Sequence, residues 1–143
     1  MRVSVTNLQG LVRLNVPRVR RAVRFVATQE GEHRDFSAVF VDDERIAQLN
    51  KRFLGCTGPT DVIAFVLDGP GDPDGLLGEV VISAETALAQ ARRRHIAVER
   101  ELLLYTIHGV LHLVGYDDTT DTGARRMRRR QAVLLNRFLR GEG

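Results

Sequence analysis

The sequence predicts a single α+β domain, spanning residues 1–143, in which a mixed sheet of roughly four strands packs with about five helices. Short runs rich in β-branched residues alternate along the chain with longer runs whose apolar residues recur every three or four positions. Capping residues or glycines stand at the ends of several of these longer runs, as helices require. A chain of 143 residues suits one hydrophobic core and leaves little room for a second.

Four short runs predict the strands. VSVTN at residues 3–7 alternates and is rich in β-branched residues, and FSAVFVD at residues 36–42 is a second candidate. DVIAFVL at residues 61–67 and GEVVIS at residues 78–83 are continuous apolar runs, which predict buried strands. The segment DGPGDPDGLL between them is dense in glycine, proline and aspartate, so it predicts a mobile surface loop.

Start and stop signals predict five helices. The first opens at Asn15 and Pro17 and runs to about Gln29. The later helices begin at a cap on Asp42 or Asp43, at Ser83, near Val98, and at a cap on Thr119 or Thr120. The third ends near Arg94, the fourth near Val114 before Gly115, and the fifth near Leu139. Three helices have inward faces that periodicity predicts: Val19, Val23 and Val26; Ile46, Leu49 and Phe53; Met127, Leu134 and Phe138.

Composition limits the class of protein. No apolar run approaches the roughly 20 residues that cross a bilayer, and the N-terminus lacks a signal-peptide core. Cys56 is the only cysteine, so no internal disulfide forms, and a cytoplasmic location is expected. The net charge of +3 comes with arginine clusters at 18–24, 92–94 and 125–130. Such clusters are either solvated helix faces or surfaces that hold phosphates.

The stretch HGVLHLVGYDD predicts a metal site on a helix that is followed by a glycine turn. His108 and His112 are four residues apart, so a helix places them on one face, one turn apart. Gly115 ends that helix, and the turn can return the carboxylate of Asp118 towards both imidazoles. Two histidines and a carboxylate are zinc ligands, and three protein ligands leave a fourth position open, as in catalytic sites. One Zn²⁺ per chain is therefore expected, although other divalent transition metals suit the same ligands.

Simpler interpretations stay open. His108 and His112 are alternatively ordinary helix histidines held by hydrogen bonds, because this spacing also occurs by chance. Cys56 is a candidate fourth ligand if the zinc is structural. Peptidases with a related spacing carry a glutamate base directly after the first histidine, whereas this chain has Gly109 there. That difference makes proteolysis less favoured.

Three blocks of the chain resemble one known family. HGVLHLVGYDD is similar to the signature H-G-x-L-H-L-x-G-Y-D-H of the YbeY family of bacterial endoribonucleases. PTDVIAF at residues 59–65 and LGEVVIS at residues 77–83 are similar to two further family blocks, in the family's order. The resemblance implies a zinc-dependent, single-strand-specific endoribonuclease that acts in 16S rRNA 3′ end maturation and ribosome quality control. It also implies single-stranded rRNA and the small ribosomal subunit as partners, and no membrane.

The resemblance also implies roles for individual residues. His108, His112 and Asp118 fall on the family's metal ligands, with aspartate in place of the third histidine. Glu79 falls on an acidic position of the second block, so Glu79 and His108 are the candidate catalytic residues. An arginine of the family, thought to contact phosphate, falls on Leu54, which cannot hold a phosphate.

Two other functions compete with this interpretation. One is a ribosome-associated binding protein whose catalysis has weakened or been lost, which Leu54 favours. The other is a zinc hydrolase of a different substrate, because metal sites occur with many chemistries. Within the ribonuclease hypothesis, attack by water and attack by a ribose hydroxyl both stay open. The sequence assigns no oligomeric state.

Overall fold

A computed structural model describes residues 1–67 and 75–141 of the chain. The strands are β1 (Val3–Asn7), β2 (Asp35–Val41), β3 (Val62–Val66) and β4 (Leu76–Ser83). The helices are α1 (Val16–Gln29), α2 (Asp43–Leu54), α3 (Ala84–Arg94), α4 (Val98–Leu113) and α5 (Asp121–Gly141). The sheet order is β1-β2-β4-β3, with β3 antiparallel to β4 and the other two pairings parallel. The predicted α+β architecture, with its four-stranded mixed sheet and five helices, is confirmed.

Capping side chains begin four of the five helices at the predicted residues. Side-chain oxygens cap the starts of α1, α2, α3 and α5 by accepting backbone hydrogen bonds, in the pairs Asn15–Arg18, Asp42–Arg45, Ser83–Thr86 and Thr120–Gly123. These bonds satisfy N–H groups that have no partner inside the helix. The predicted inward faces of α1 and α5 are buried, including Val26 and Leu134, which are fully shielded from solvent.

Two predictions about burial need correction. The run at residues 61–67 is not a buried strand, because β3 lies at the sheet edge and pairs only with β4. Val66 and Leu67 are consequently 61% and 59% exposed. Phe53 was expected to face inward with Ile46, but it is 56% exposed and meets the Phe65 ring edge-on, with centroids 5.5 Å apart. A continuous apolar run indicates a strand without revealing whether a neighbour covers its edge.

Strand β4 begins two residues earlier than predicted. Strand β4 begins at Leu76, within the segment that was predicted as a mobile loop, and Leu77 is buried. Most of that segment, residues 68–74, lies outside the described residues. Among the described helices, none combines the length and apolar character that a membrane crossing requires.

The sheet separates two apolar clusters. On one face, the main core includes Val80 and Ile82 of β4 and is covered by α1, α3, α4 and α5. On the other face, Val81 packs with Ile46 of α2 in a smaller cluster. Successive residues of a strand point to opposite faces, which explains this division. Helix α4 lies against β3 and β4, and its His108 side meets α5.

Candidate metal centre

The two predicted histidines lie side by side on α4. The ring centroids of His108 and His112 are 4.8 Å apart, and the rings are inclined by 78°. Both side chains are partly buried, whereas Ile107 and Leu111 of the same helix are fully buried in the core. The i, i+4 spacing therefore places both imidazoles on one partly accessible side of a rigidly packed helix.

A turn after α4 returns the chain to these histidines. Gly115 adopts a φ of +112°, which a residue with a side chain would rarely adopt, and the Tyr116 N–H donates to the Leu111 carbonyl at 3.0 Å. The turn brings the Asp118 carboxylate to 3.4 Å from Nε2 of His112. The predicted combination of helix, glycine turn and returning carboxylate is present.

The neighbouring Asp117 holds this turn in shape. Its carboxylate accepts hydrogen bonds from the backbone N–H and the hydroxyl of Thr119, both at 2.9 Å. These hydrogen bonds favour the charged form and lower the pKa of Asp117. The Asp117 carboxylate thus stabilises the turn, whereas the Asp118 carboxylate lies beside His112.

The three side chains form a group that can hold a metal ion. One ligand atom from each of His108, His112 and Asp118 lies within 4.8 Å of the other two. Ligands of a tetrahedral zinc, at bond lengths of about 2.0–2.1 Å, are separated from each other by about 3.4 Å. The 3.4 Å between Nε2 of His112 and Oδ2 of Asp118 matches that separation. The donor set and its spacing fit a zinc-type ion.

Gln131 of α5 orients the first histidine. Its side-chain Oε1 lies 2.8 Å from Nδ1 of His108. A carbonyl oxygen only accepts hydrogen bonds, so Nδ1 carries the proton and donates it to Gln131. In the neutral ring with its proton on Nδ1, the lone pair is on Nε2, which is the arrangement that a metal-binding histidine needs.

A cleft of about 730 Å³ opens beside the candidate metal centre. His108 and Asp118 both line it, so a group bound in the cleft lies next to the ligand atoms. Thr60 and Asp61 also line it, although they resemble an ordinary strand-entry turn in sequence. The other polar lining residues are Thr86, Gln90, Arg94, Tyr105, Arg128 and Gln131.

Arg94 is anchored at the cleft by a buried acid. Its Nη1 lies 3.3 Å from Oε1 of Glu101, whose side chain is only 2% exposed. Among the described residues, none forms a hydrogen bond with Oε2 of Glu101. Burial, followed by the influence of Glu101, raises the pKa of the nearby Tyr105 well above its usual value. Tyr105 therefore stays protonated, and Arg94 offers a fixed positive charge at the cleft.

Sequence reasoning missed several of these residues. Glu101, Tyr105, His108 and His112 are spaced by four, three and four positions, so they form one polar stripe along a mainly apolar helix. That spacing was available in the sequence as a signal. Nothing local indicated that Gln131, on another helix, would meet His108.

The structure does not bring Glu79 to the candidate metal centre. Strand alternation places Glu79 on the α2 face of β4 with Val81, because its neighbours Gly78 and Val80 both face α4. The main chain of β4 thus separates Glu79 from the histidines on α4. Glu79 is half-buried beside its cross-strand partner Phe65.

The remaining sequence candidates lie elsewhere. Cys56 is exposed and is not among the described residues that gather at the centre, so the group has three protein donors. Leu54 ends α2 and is 54% exposed. The other two histidines of the chain, His33 and His95, were not candidates and are exposed. Two histidines and one carboxylate, beside a cleft that contains arginine, define a small α+β protein with a three-residue group that could hold a metal ion, and three is the number of protein ligands in catalytic zinc sites.

Comparisons with known proteins assign the family. A family model described as endoribonuclease YbeY matches residues 7–139. The chain is 37% identical to endoribonuclease YbeY of Pelotomaculum thermopropionicum, over 96% of this chain and 97% of that protein. It is 38% identical to endoribonuclease YbeY of Syntrophotalea carbinolica, over 95% of each. This chain belongs to the YbeY family of endoribonucleases.

A solved structure supports the fold. The solution structure of a Thermotoga maritima protein superposes with a TM-score of 0.69 and 25% sequence identity. The match covers 95% of this chain and 88% of the Thermotoga chain. The family model and the relatives confirm, over nearly the whole chain, the resemblance that the three sequence blocks indicated.

Proposed function

We propose that this chain is a metal-dependent endoribonuclease that cleaves single-stranded ribosomal RNA. The observation that carries the proposal is the convergence of His108, His112 and Asp118 at the wall of a cleft. Membership of a family of endoribonucleases supplies the reaction class. Zn²⁺ is the ion we propose, because two imidazoles and one carboxylate suit it. When bound, it supplies a Lewis acid beside the phosphate that is cleaved.

The residues of the chain have distinct roles in this proposal. His108 and His112 donate Nε2, with Gln131 holding the proton of His108 on Nδ1. Asp118 offers the third donor and, through its charge, lowers the Lewis acidity of the centre relative to a third histidine. Arg94 and Arg128 line the same cleft, where guanidinium groups hold phosphate oxygens. They offer phosphate contacts that Leu54 cannot.

Glu79 has no direct role in this scheme, because the sheet separates it from the cleft. Proton transfer therefore depends on groups that line the cleft, such as Asp61, or on solvent that enters it. The cellular setting that we propose is 16S rRNA 3′ end maturation and ribosome quality control. In that setting the chain works in the cytoplasm with the small ribosomal subunit as its partner.

The decisive experiment incubates the purified protein with single-stranded RNA, with and without a chelator, and measures metal content in parallel. The proposal expects cleavage that stops with the chelator, returns with Zn²⁺, and is lost in His108→Ala. Glu79→Gln is the control, since it changes an acidic residue outside the cleft and is expected to retain cleavage. Metal binding without cleavage would instead favour the binding-protein alternative. Cleavage of peptides and not RNA would favour a hydrolase of another substrate.

A further inference from the structure

A second groove lies on the other side of α5 from the cleft. Ala124, Met127, Arg128 and Gln131 of α5 face the cleft, whereas another set of α5 residues lines a groove of about 540 Å³. The groove is lined by Tyr116, Thr122, Arg125, Arg126, Arg129, Arg130 and Val133. Four of its seven lining residues are arginines, so the groove is strongly basic.

These arginines are poorly neutralised. Arg130 pairs with Glu30 at 2.7 Å, and this hydrogen bond raises the pKa of Arg130. In the part of the chain that the structure describes, Arg125, Arg126 and Arg129 pair with no carboxylate. Arg125 and Arg129 are exposed and lie four positions apart, where like charges on a helix repel each other. Folding alone therefore gives no reason for this concentration of positive charge.

Part of the groove is ordered before any ligand binds. The guanidinium carbon of Arg126 lies 5.6 Å from the centroid of the Tyr116 ring. The Tyr116 hydroxyl donates to Glu30, at 3.2 Å to the nearer oxygen, and Glu30 also holds Arg130. Two guanidinium groups are thus held in place along one wall, while Arg125 and Arg129 stay available on the surface. A row of fixed and available guanidinium groups suits successive phosphates of a polyanion.

We propose that this groove binds the phosphate backbone of the RNA substrate at nucleotides outside the cleavage cleft. The inference rests on the proposed ribonuclease function, since that function makes RNA the partner. Backbone contacts of this kind add affinity without reading sequence. The α5 helix would then lie between the metal centre and an anchoring site for the flanking strand.

The test measures the affinity of the chelator-treated protein for a long single-stranded RNA as a function of salt. Each phosphate contact contributes about 0.7 to the slope of log affinity against log salt for single strands. Arg125→Gln with Arg129→Gln should therefore reduce the slope by about 1.4 and weaken binding roughly ten- to thirty-fold near 0.1 M salt. The lysine pair Arg125→Lys with Arg129→Lys should restore most of the slope, because it keeps the charge.

The matched control is Arg45→Gln with Arg52→Gln, which removes the same charge from exposed positions on α2. Equal weakening by the control pair would overturn the proposal, since net charge alone would explain it. An unchanged salt slope in Arg125→Gln with Arg129→Gln, called the α5 pair below, would also overturn the proposal. Thermal midpoints should be unchanged or raised in the α5 pair, which shows that any loss of binding is not unfolding.

The same variants separate this inference from the proposed function. With Zn²⁺ present, the α5 pair should raise KM for a long RNA and leave cleavage of an oligonucleotide that fills only the cleft unchanged. If the wild-type protein cleaves RNA and the α5 pair keeps the wild-type KM, the groove proposal fails and the ribonuclease proposal stands. If the wild-type protein binds RNA through the groove without cleaving it, the ribonuclease proposal fails.

Discussion

Nδ1 of His108 donates a hydrogen bond of 2.8 Å to the side-chain oxygen of Gln131, a residue 23 positions away on α5. The contact joins the helix that carries both candidate histidine ligands to the helix that closes the cleft. The contact occupies Nδ1 of His108 and leaves Nε2 as the ring nitrogen available to an ion. In the neutral ring, the contact therefore favours the tautomer that leaves Nε2 available to an ion.

Gln131→Leu should weaken zinc binding by about ten- to a hundred-fold, because the His108 ring loses the partner that fixes its tautomer and orientation. Calorimetric titration with Zn²⁺ measures this directly. Gln90→Leu is the control, since Gln90 lines the same cleft but the glutamine bonded to His108 is Gln131. Equal affinity in Gln131→Leu and the wild type would contradict the positioning role.

Asp118→Asn should lower zinc affinity while leaving the fold intact, because the residue is exposed and the amide is a poorer ligand than the carboxylate. Asp118→His should bind zinc more tightly and cleave RNA faster than Asp118→Asn, since imidazole is a better zinc ligand than an amide oxygen. Metal content and cleavage rate are measured together. Wild-type affinity in Asp118→Asn would remove Asp118 from the ligand set.

Arg94→Gln should raise KM for RNA and also destabilise the fold. The buried Glu101 would lose the partner that lies 3.3 Å away, and its second oxygen already lacks one. An uncompensated buried carboxylate costs several kcal/mol, less here because the Arg94 side chain is 58% exposed. Urea unfolding and steady-state kinetics measure the two effects. Arg93→Gln, an exposed change on the same helix, should produce neither.

Gly109→Ala should destabilise the protein by about 1–3 kcal/mol through overpacking. A Cβ atom there would overlap the side chain of Val80 and crowd Val62, both β-branched and unable to move aside easily. Gly10→Ala is the control, because a Cβ at that position meets no atom within 4 Å. The free energy of unfolding from urea titration should fall only in Gly109→Ala. Position 109 therefore faces the sheet, which explains why it carries no catalytic base.

Glu32 should make the stability depend on pH in acid. Its hydrogen bonds and ion pair with Arg34 lower its pKa from 4.5 to about 2. A lowered folded-state pKa adds stability above pH 4.5, and that stability is lost as the pH falls towards 2. The free energy of unfolding, measured across this pH window, should fall less in Glu32→Gln than in the wild type. Glu44→Gln, an exposed change on α2, should keep the wild-type dependence of the unfolding free energy on pH.

Much of the local structure followed from the sequence by itself. Caps at Asn15, Asp42 and Ser83 set helix starts because their side chains bond to N–H groups only three positions away. The pairing of His108 with His112 follows from helix geometry. The turn follows from the ability of glycine at position 115 to adopt a positive φ. These features depend on neighbours within a few residues, and local sequence determines such neighbours.

Tertiary structure decided the features that join distant segments. The contact of Gln131 with His108 and the anchoring of Arg94 by Glu101 depend on how helices pack, which no local pattern specifies. The edge position of β3 depends on strand order, so an apolar run alone could not reveal that Val66 is exposed. The sequence shows that Glu79 and its neighbour Val80 point to opposite faces of β4. It does not show which of these faces packs against α4. The sequence determined the candidate ligands, and long-range packing decided what surrounds them.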